Sequence, residues 1–189
     1  MISEITDTSI CKPKLYPTDN DFQVTSQYKS QPYICIAPTS VWFTKQYPKE
    51  KWAEFINQVD AAFQIYLIGG PDDTNACSEI ISLSKKSGII NLCGKLSFLQ
   101  TSALLVDAKM NYVNDSAPMH MASAMNAPVT AIFCSTIPSF GFGPLSDNSR
   151  IIETNEKLEC RPCGLHGFKN CPKGHFNCAL TIKTTDLLF

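Results

Sequence analysis

The chain has 189 residues, of which 44% are hydrophobic, so it suits one globular domain with a sizeable core. Its 16 basic and 17 acidic side chains leave a net charge of −1, which argues against a nucleic-acid binder. No stretch approaches the roughly 18 to 20 apolar residues of a membrane-spanning helix, and the start lacks the features of a signal peptide, so we expect a cytoplasmic, reducing setting.

Residues 1–30 are polar and contain Pro13 and Pro17, which indicates a linker followed by a docking segment with a short helix at 18–28. Residues 31–189 form one predicted domain in which strands and helices alternate. The predicted strands are 33–37, 64–68, 89–92, 110–113 and 129–133, and the predicted helices are 49–60, 75–86, 97–107 and 117–125. Because parallel strands need crossover helices, this order predicts an α/β fold: a Rossmann-like parallel sheet with helices on both faces. Residues 181–189 look like the start of a further element.

Three hydroxyls and a lysine follow the first predicted strand: Thr39, Ser40, Thr44 and Lys45. A compact cation beside several hydrogen-bond donors suits a diphosphate. A lysine on a surface is usually only solvated, so Lys45 alone is a weak signal. The next strand ends in two glycines and Asp72, where a backbone can approach a ligand closely and an acid can bind ribose hydroxyls.

The fourth predicted strand runs through Asn114, Asp115 and Ser116 into a helix with Pro118 in its first turn. We expect the side chain of Asp115 or Ser116 to accept hydrogen bonds from the first helix N–H groups. Helix N-termini at the carboxyl ends of strands also bind phosphates. The alternative interpretation is an ordinary capped helix without a ligand.

These strand ends carry segments that resemble one family in order and spacing over roughly residues 33–180: PTSVWFTKQYP (38–48), GGPD (69–72), CGKLS (93–97) and NDSAPMH (114–120). The chain resembles the carboxy-terminal half of the ADP-heptose:lipopolysaccharide heptosyltransferases, glycosyltransferase family 9. The resemblance implies half of a GT-B enzyme, in which two Rossmann-like domains face each other. The carboxy-terminal domain binds the nucleotide sugar, and the amino-terminal domain binds the acceptor.

The resemblance also implies roles for residues at the matching positions. Lys45, with the hydroxyls of Thr39, Ser40 and Thr44, would offset charge on the departing nucleotide diphosphate. Asp72 would bind the ribose, and Leu96 would lie beside the adenine. Asp115 would bind the sugar hydroxyls, and the N–H groups of Ser116 and Ala117 would face the diphosphate. His120 would either reach the diphosphate or simply pack in its helix. Thr39, Phe43 and Tyr47 depart from the commoner motif, which puts the exact donor sugar in doubt.

The implied donor is ADP-heptose, no cofactor is required, and the acceptor is the lipopolysaccharide core. The family's catalytic base is an aspartate of the amino-terminal domain, which this chain lacks, so the chain alone is expected to bind donor without efficient transfer. Contact with the inner membrane is expected to be peripheral at most. The alternatives are a noncatalytic nucleotide-binding module and an enzyme remnant. A GT-B epimerase resembling the UDP-N-acetylglucosamine 2-epimerases is disfavoured by the TKQYP loop.

Nine cysteines are unusual in a chain of this length. Four of them, Cys160, Cys163, Cys171 and Cys178, lie in a loop at 160–178 with His166 and His175 between them. A CxxC pair followed by two more cysteines suggests a structural zinc, but the later spacings are not those of a second CxxC. Zinc, a disulfide and free thiols therefore remain open. The other five, Cys11, Cys35, Cys77, Cys93 and Cys134, are predicted to be small core residues.

Overall fold

The computed structural model describes residues 12–188. Its strands are β1 (Tyr33–Ala37), β2 (Gln64–Leu67), β3 (Ile90–Asn91), β4 (Asn111–Asn114), β5 (Val129–Phe133) and β6 (Ser149–Glu153). They form one sheet in the order β3-β2-β1-β4-β5-β6, and every neighbouring pair is parallel. The predicted α/β fold with a parallel sheet is confirmed.

Helices connect most of the strands, and each predicted helix is present with ends shifted by a few residues. They are α1 (Asp19–Ser26), α2 (Lys49–Gln58), α3 (Thr74–Leu83), α4 (Phe98–Val106), α5 (Ala117–Ala124) and a short α6 (Asn177–Leu180). Side chains set some of these ends. Ser97 and Gln100 form a capping box at the start of α4, in which each side chain accepts the other residue's backbone N–H (3.2 and 2.9 Å). The predicted helix 75–86 ends early because Ser84 adopts an extended conformation (ψ 144°).

The edge strand β6 was not predicted. Its residues alternate between exposed and half-buried, so it carries no apolar run that would mark a strand. The end of the described chain packs back onto the domain, where Thr184–Leu187 form a 3-10 turn. The guanidinium of Arg150 on β6 donates to the carbonyl oxygens of Asp186 (2.8 Å) and Leu188 (3.0 Å), and Leu187 is buried.

The sheet separates two hydrophobic layers, because successive strand side chains point to opposite faces. On β1, Ile34 and Ile36 join the layer formed with α2, α3 and the carboxy-terminal residues, where Trp52 is fully buried. Cys35 lies in the opposite layer, formed with α4 and α5. Burial on both faces is the usual condition of a parallel sheet.

The described part of residues 1–30 lies on the second layer. Helix α1 packs against α4, and Leu15 and Tyr28 contact the core there. The hydroxyl of Tyr66 on β2 donates to the carbonyl of Tyr28 (2.8 Å). Between residues 12 and 188, no helix is long and apolar enough to cross a membrane.

Candidate functional site at the carboxyl edge of the sheet

The order of the strands places the site. β1 and β4 are neighbours at the centre of the sheet, and the chain proceeds from β1 to β2 on one side and from β4 to β5 on the other. The carboxyl edge at such a switch point is where open α/β sheets bind ligands. Residues 38–48 after β1, here called the lysine loop, therefore lie beside the start of α5, which follows β4.

An ion pair joins these two segments. The ammonium of Lys45, at the end of a 3-10 turn (Phe43–Lys45), lies 2.8 Å from Oδ2 of Asp115. Only 16% of the Lys45 side chain and 8% of the Asp115 side chain are exposed. The hydroxyl of Thr136 donates to the same carboxylate oxygen (2.7 Å). The structure thus brings together the lysine and the aspartate singled out from separate motifs. The sequence gives no signal for Thr136 beyond its place soon after β5.

The side-chain amide of Asn114 fixes the lysine loop at both ends. Its Nδ2 donates to the carbonyls of Pro38 (2.7 Å) and Thr39 (3.4 Å), and its Oδ1 accepts from the backbone N–H of Tyr47 (3.0 Å). Gln46 closes the loop internally by donating to the carbonyl of Ser40 (2.6 Å). Asn114 is part of the NDSAPMH motif, but the motif did not predict these hydrogen-bond partners.

The three hydroxyls of the lysine loop differ in their surroundings. Thr39 and Ser40 are half-buried at the edge of the sheet, and the Ser40 hydroxyl lies 3.5 Å from the carbonyl oxygen of Asp115. Thr44 is 1% exposed, and its hydroxyl oxygen accepts from the N–H of Phe168 (2.8 Å) and the hydroxyl of Ser135 (3.0 Å). This differs from the expectation that Thr44 faces a diphosphate, because its hydroxyl is used within the protein.

The start of α5 also differs from expectation. Neither Asp115 nor Ser116 caps the helix, because the Asp115 carboxylate faces Lys45 and Thr136, and Ser116 makes no capping hydrogen bond with its side chain. Ala117 and His120 are exposed in the first turn. Within the described chain, the first N–H groups of α5 thus have no side-chain cap at the end nearest Lys45.

The turns after β2 and β3 pack against each other on the other side of the lysine loop. The N–H of Gly94 donates to the carbonyl of Gly69 (3.0 Å). Gly94 has φ +71°, and a Cβ there would lie 2.9 Å from Cα of Pro71. Asp72 is exposed at this edge, and Leu96 is half-buried against the core. The predicted ribose and adenine residues therefore lie in neighbouring turns.

The cysteine-rich loop packs beside the lysine. A Cβ on Gly167 would lie 3.1 Å from Cγ of Lys45, and the N–H of Cys163 donates to the carbonyl of Ser135 (2.8 Å). The eight described cysteines are free thiols, so no disulfide joins them. Sγ of Cys160 lies 3.7 Å from Nε2 of His175, but no group of three or more candidate ligands within residues 12–188 is arranged to hold a metal. Burial, followed by the neighbouring cysteines, raises the pKa of the Cys163 thiol.

An apolar groove of about 480 Å³ borders this site. It lies between the lysine loop, α2 and α3, and its lining includes Thr39, Phe43, Tyr47 and Phe176. The rings of Phe43 and Phe176 lie 5.0 Å apart along it. Neither Lys45 nor Asp115 lines the groove, so we place the candidate site at the ion pair and not in this cavity.

Comparisons with known proteins identify the family of the chain. Residues 3–167 match glycosyltransferase family 9 (heptosyltransferase). The chain is 31% identical over 140 residues to lipopolysaccharide heptosyltransferase 2 of Escherichia coli K12, a match that covers 71% of this chain and 39% of the relative.

Two solved structures show the same fold. The ADP-heptose lipopolysaccharide heptosyltransferase II of E. coli matches with a TM-score of 0.77 and 23% identity over 97% of this chain and 54% of that one. The E. coli heptosyltransferase WaaC with ADP matches with a TM-score of 0.63 and 18% identity over 84% and 42%. The chain thus spans about half or less of the length of these proteins. With most of its residues matched by the family, the chain belongs to glycosyltransferase family 9.

Proposed function

We propose that the chain is the carboxy-terminal, donor-binding domain of an inverting glycosyltransferase that transfers heptose from ADP-heptose to the inner core of lipopolysaccharide. The observation that carries the proposal is the convergence of Lys45 and Asp115 at the switch point, beside the start of α5. Family membership supports it, as do relatives named for lipopolysaccharide heptosyl transfer.

In this proposal the diphosphate of the donor lies between Lys45 and the first N–H groups of α5, those of Ser116 and Ala117. A charge-assisted hydrogen bond is worth roughly 1.5 to 3 kcal/mol, whereas a helix end contributes about 0.3 to 1 kcal/mol at an exposed site. Lys45 is therefore the larger contributor. If the transition state is oxocarbenium-like, negative charge grows on the leaving phosphate, and the interaction with Lys45 strengthens as the bond breaks.

The other predicted residues are assigned to the remaining parts of the donor. Oδ2 of Asp115 already faces Lys45 and Thr136, so we assign its Oδ1 to the sugar hydroxyls. Asp72 and Leu96, in the packed turns after β2 and β3, are assigned to ribose and adenine.

His120 in the first turn of α5 is assigned to the diphosphate. Thr39 and Ser40 remain candidates for binding the diphosphate, whereas buried Thr44 is assigned to holding the lysine loop in place.

Catalytic base and acceptor site are assigned to an amino-terminal domain outside this chain. The chain alone would then bind donor without efficient transfer, and full heptosyl transfer by the isolated chain would contradict this division. The proposal uses no metal or other cofactor. It keeps the cytoplasmic location, with at most peripheral contact to the inner membrane, as a prediction that cell fractionation can test.

Nucleotide selectivity is the direct test of the proposal. ADP should stabilise the purified chain against heat, by about 2.7 kcal/mol at a hundredfold excess over Kd, whereas UDP and GDP at equal concentration should shift its Tm much less. ADP-heptose should act at least as strongly as ADP. Equal responses to the three nucleotides would favour a general nucleotide-binding module, and no response to any of them would favour an enzyme remnant; either result contradicts the proposal.

A further inference from the structure

We propose that Asn114 is a positioning residue that holds Lys45 in place for the donor diphosphate, an inference that rests on the proposed function. None of the Asn114 side-chain hydrogen bonds goes to Lys45. Asn114 acts through the backbone of the lysine loop, to which its amide makes three hydrogen bonds.

The three Asn114 hydrogen bonds span the lysine loop. They reach Pro38 and Thr39 at the beginning of the lysine loop and Tyr47 near its end, so one side chain ties both ends of the loop to the end of β4. Asn114 is 0% exposed, so water does not compete for these groups. An amide of this length supplies two donors and an acceptor together, which neither a carboxylate nor an apolar side chain does.

The next residue along the chain, Asp115, contacts the lysine side chain itself. Asp115 pairs with the tip of the Lys45 side chain, while Asn114 fixes the two ends of the loop from which that side chain extends. Two consecutive residues at the end of β4 therefore fix the lysine: Asn114 fixes the backbone of its loop, and Asp115 fixes its ammonium group. The far end of the loop has a further anchor, because the Tyr47 hydroxyl donates to the carbonyl of Ile182 (3.2 Å).

Loss of the Asn114 amide would leave buried backbone groups of the lysine loop without their partner. Without it, the Tyr47 N–H and the Pro38 carbonyl, which lie in buried residues, lose their partner, and such groups must find new ones or bear a desolvation cost. The loop would shift to satisfy them. A misplacement on the order of 1 Å is enough to weaken a positioned charge substantially.

The same strand supplies a matched control. Asn111 is also 0% exposed, and its Nδ2 also donates to two backbone carbonyls, those of Leu105 (2.9 Å) and Pro128 (2.8 Å). It lies three residues earlier, roughly 10 Å along the strand from Asn114. Asn111→Ala therefore removes two donor bonds of the same kind from β4 at a distance from the lysine loop, without the accepted bond that Asn114 also makes.

The first experiment uses the ligand-free chain. Trace labelling with isotopic acetic anhydride and mass spectrometry measures the reactivity of the Lys45 amine, with Lys49 as internal reference. We expect the relative reactivity of Lys45 to rise several-fold in Asn114→Ala and to stay unchanged in Asn111→Ala. Asn114→Asp keeps the acceptor for Tyr47 and loses both donors, so it serves as a second variant and should act in the same direction. Unchanged Lys45 reactivity in either folded Asn114 variant overturns the inference, whether or not the chain binds nucleotide.

The second experiment measures ADP affinity in a double-mutant cycle. Asn114→Ala should weaken ADP binding at least about fivefold, since the lysine contact it protects is worth more than a factor of ten. In the Lys45→Ala background the same change should have almost no further effect. Equal effects in both backgrounds would show that Asn114 acts only on general stability and would overturn the inference. Failure of the wild-type chain to bind ADP would instead count against the proposed function, leaving the labelling result to decide the role of Asn114.

Discussion

The carboxylate of Asp115 pairs with the ammonium of Lys45, so in the proposed function the donor diphosphate would compete with Asp115 for this ammonium. Two features make that exchange feasible. Thr136 donates to the same carboxylate oxygen, which keeps Asp115 hydrogen-bonded when Lys45 turns toward phosphate. Although the pair is largely buried, the lysine keeps some contact with water, since 16% of its side chain is exposed. The ion pair therefore orients the lysine without trapping it.

Replacing Lys45 tests this role directly. Lys45→Ala should weaken ADP binding more than tenfold, because a charge-assisted hydrogen bond is worth roughly 1.5 to 3 kcal/mol. Lys49→Ala is the matched control: it lies four residues on, its side chain is 50% exposed, and it pairs with Glu79 at 2.7 Å. Isothermal titration calorimetry of both variants decides the matter. In a full-length enzyme the same change should lower turnover more than tenfold, and equal affinities and rates for Lys45→Ala and wild type would remove the lysine from the mechanism.

At the scale of elements, the turns after β2 and β3 act as one unit. Gly94 brings the second turn against Pro71 of the first, and the Gly70 N–H donates to Asp73 within the first (2.7 Å). This contact sets the spacing between Asp72 and Leu96, the residues assigned to ribose and adenine. Because the contact involves backbone atoms, it leaves little space for a side chain at position 94.

Two glycines allow this contact to be tested against backbone strain alone. Gly94 and Gly88 both have positive φ, +71° and +78°, but a Cβ on Gly88 would meet nothing within 4 Å. Gly88→Ala should cost about 1 to 2 kcal/mol of unfolding free energy from the left-handed conformation. Gly94→Ala should cost clearly more, because it adds a contact of 2.9 Å with the Pro71 backbone. Urea denaturation measures both, and equal losses would show that the two turns can move apart freely.

The sequence predicted elements whose pattern is local. Buried strands such as β1 and amphipathic helices such as α2 carry apolar periodicity, and they are found where expected. β6 was missed because an exposed edge strand needs little apolar character. The sequence shows that Thr44 has a hydroxyl but does not show its hydrogen-bond partner. That partner is the backbone N–H of Phe168, which lies 124 residues further along the chain. Lys45 and Asp115 were singled out because their motifs follow predicted strands and match the family's motifs, and the parallel strands bring the two side chains together at one edge.

For the whole molecule, burial on both faces of the sheet places several ionisable groups away from water. Burial raises the pKa of the thiols of Cys35 and Cys134 and of the Tyr33 hydroxyl. Burial, followed by nearby cysteines, raises the pKa of the Cys178 thiol from 9.0 to about 11. All four groups are neutral in the folded protein near neutral pH, and the fold favours that neutral form.

Stability should therefore fall on the alkaline side. Below about pH 9 these thiols are protonated in the folded and the unfolded chain, so they do not change the free energy of unfolding. Above about pH 9 the unfolded chain releases protons that the folded chain still binds, so the free energy of unfolding decreases. Desolvation lowers the pKa of Lys86, and the hydrogen bond with Cys77 lowers the pKa of the Cys93 thiol, so these two groups act in the opposite direction. Urea denaturation in a reducing buffer from pH 7 to 11 measures the decline, and Cys178→Ser should make it shallower. A free energy of unfolding that stays constant over this range would contradict the expected effect of burial.

The two tryptophans of this chain are placed to report on different parts of it. Trp52 is fully buried in the layer that α2 and α3 form on one face of the sheet, whereas the opposite layer is built around Tyr33 and Tyr66. Trp42 is half-buried in the lysine loop, directly before the turn that ends in Lys45. Intrinsic fluorescence therefore gives two natural optical probes. With Trp42→Phe the emission follows the loosening of one face alone, and with Trp52→Phe it follows events at the proposed donor-binding edge without an added dye.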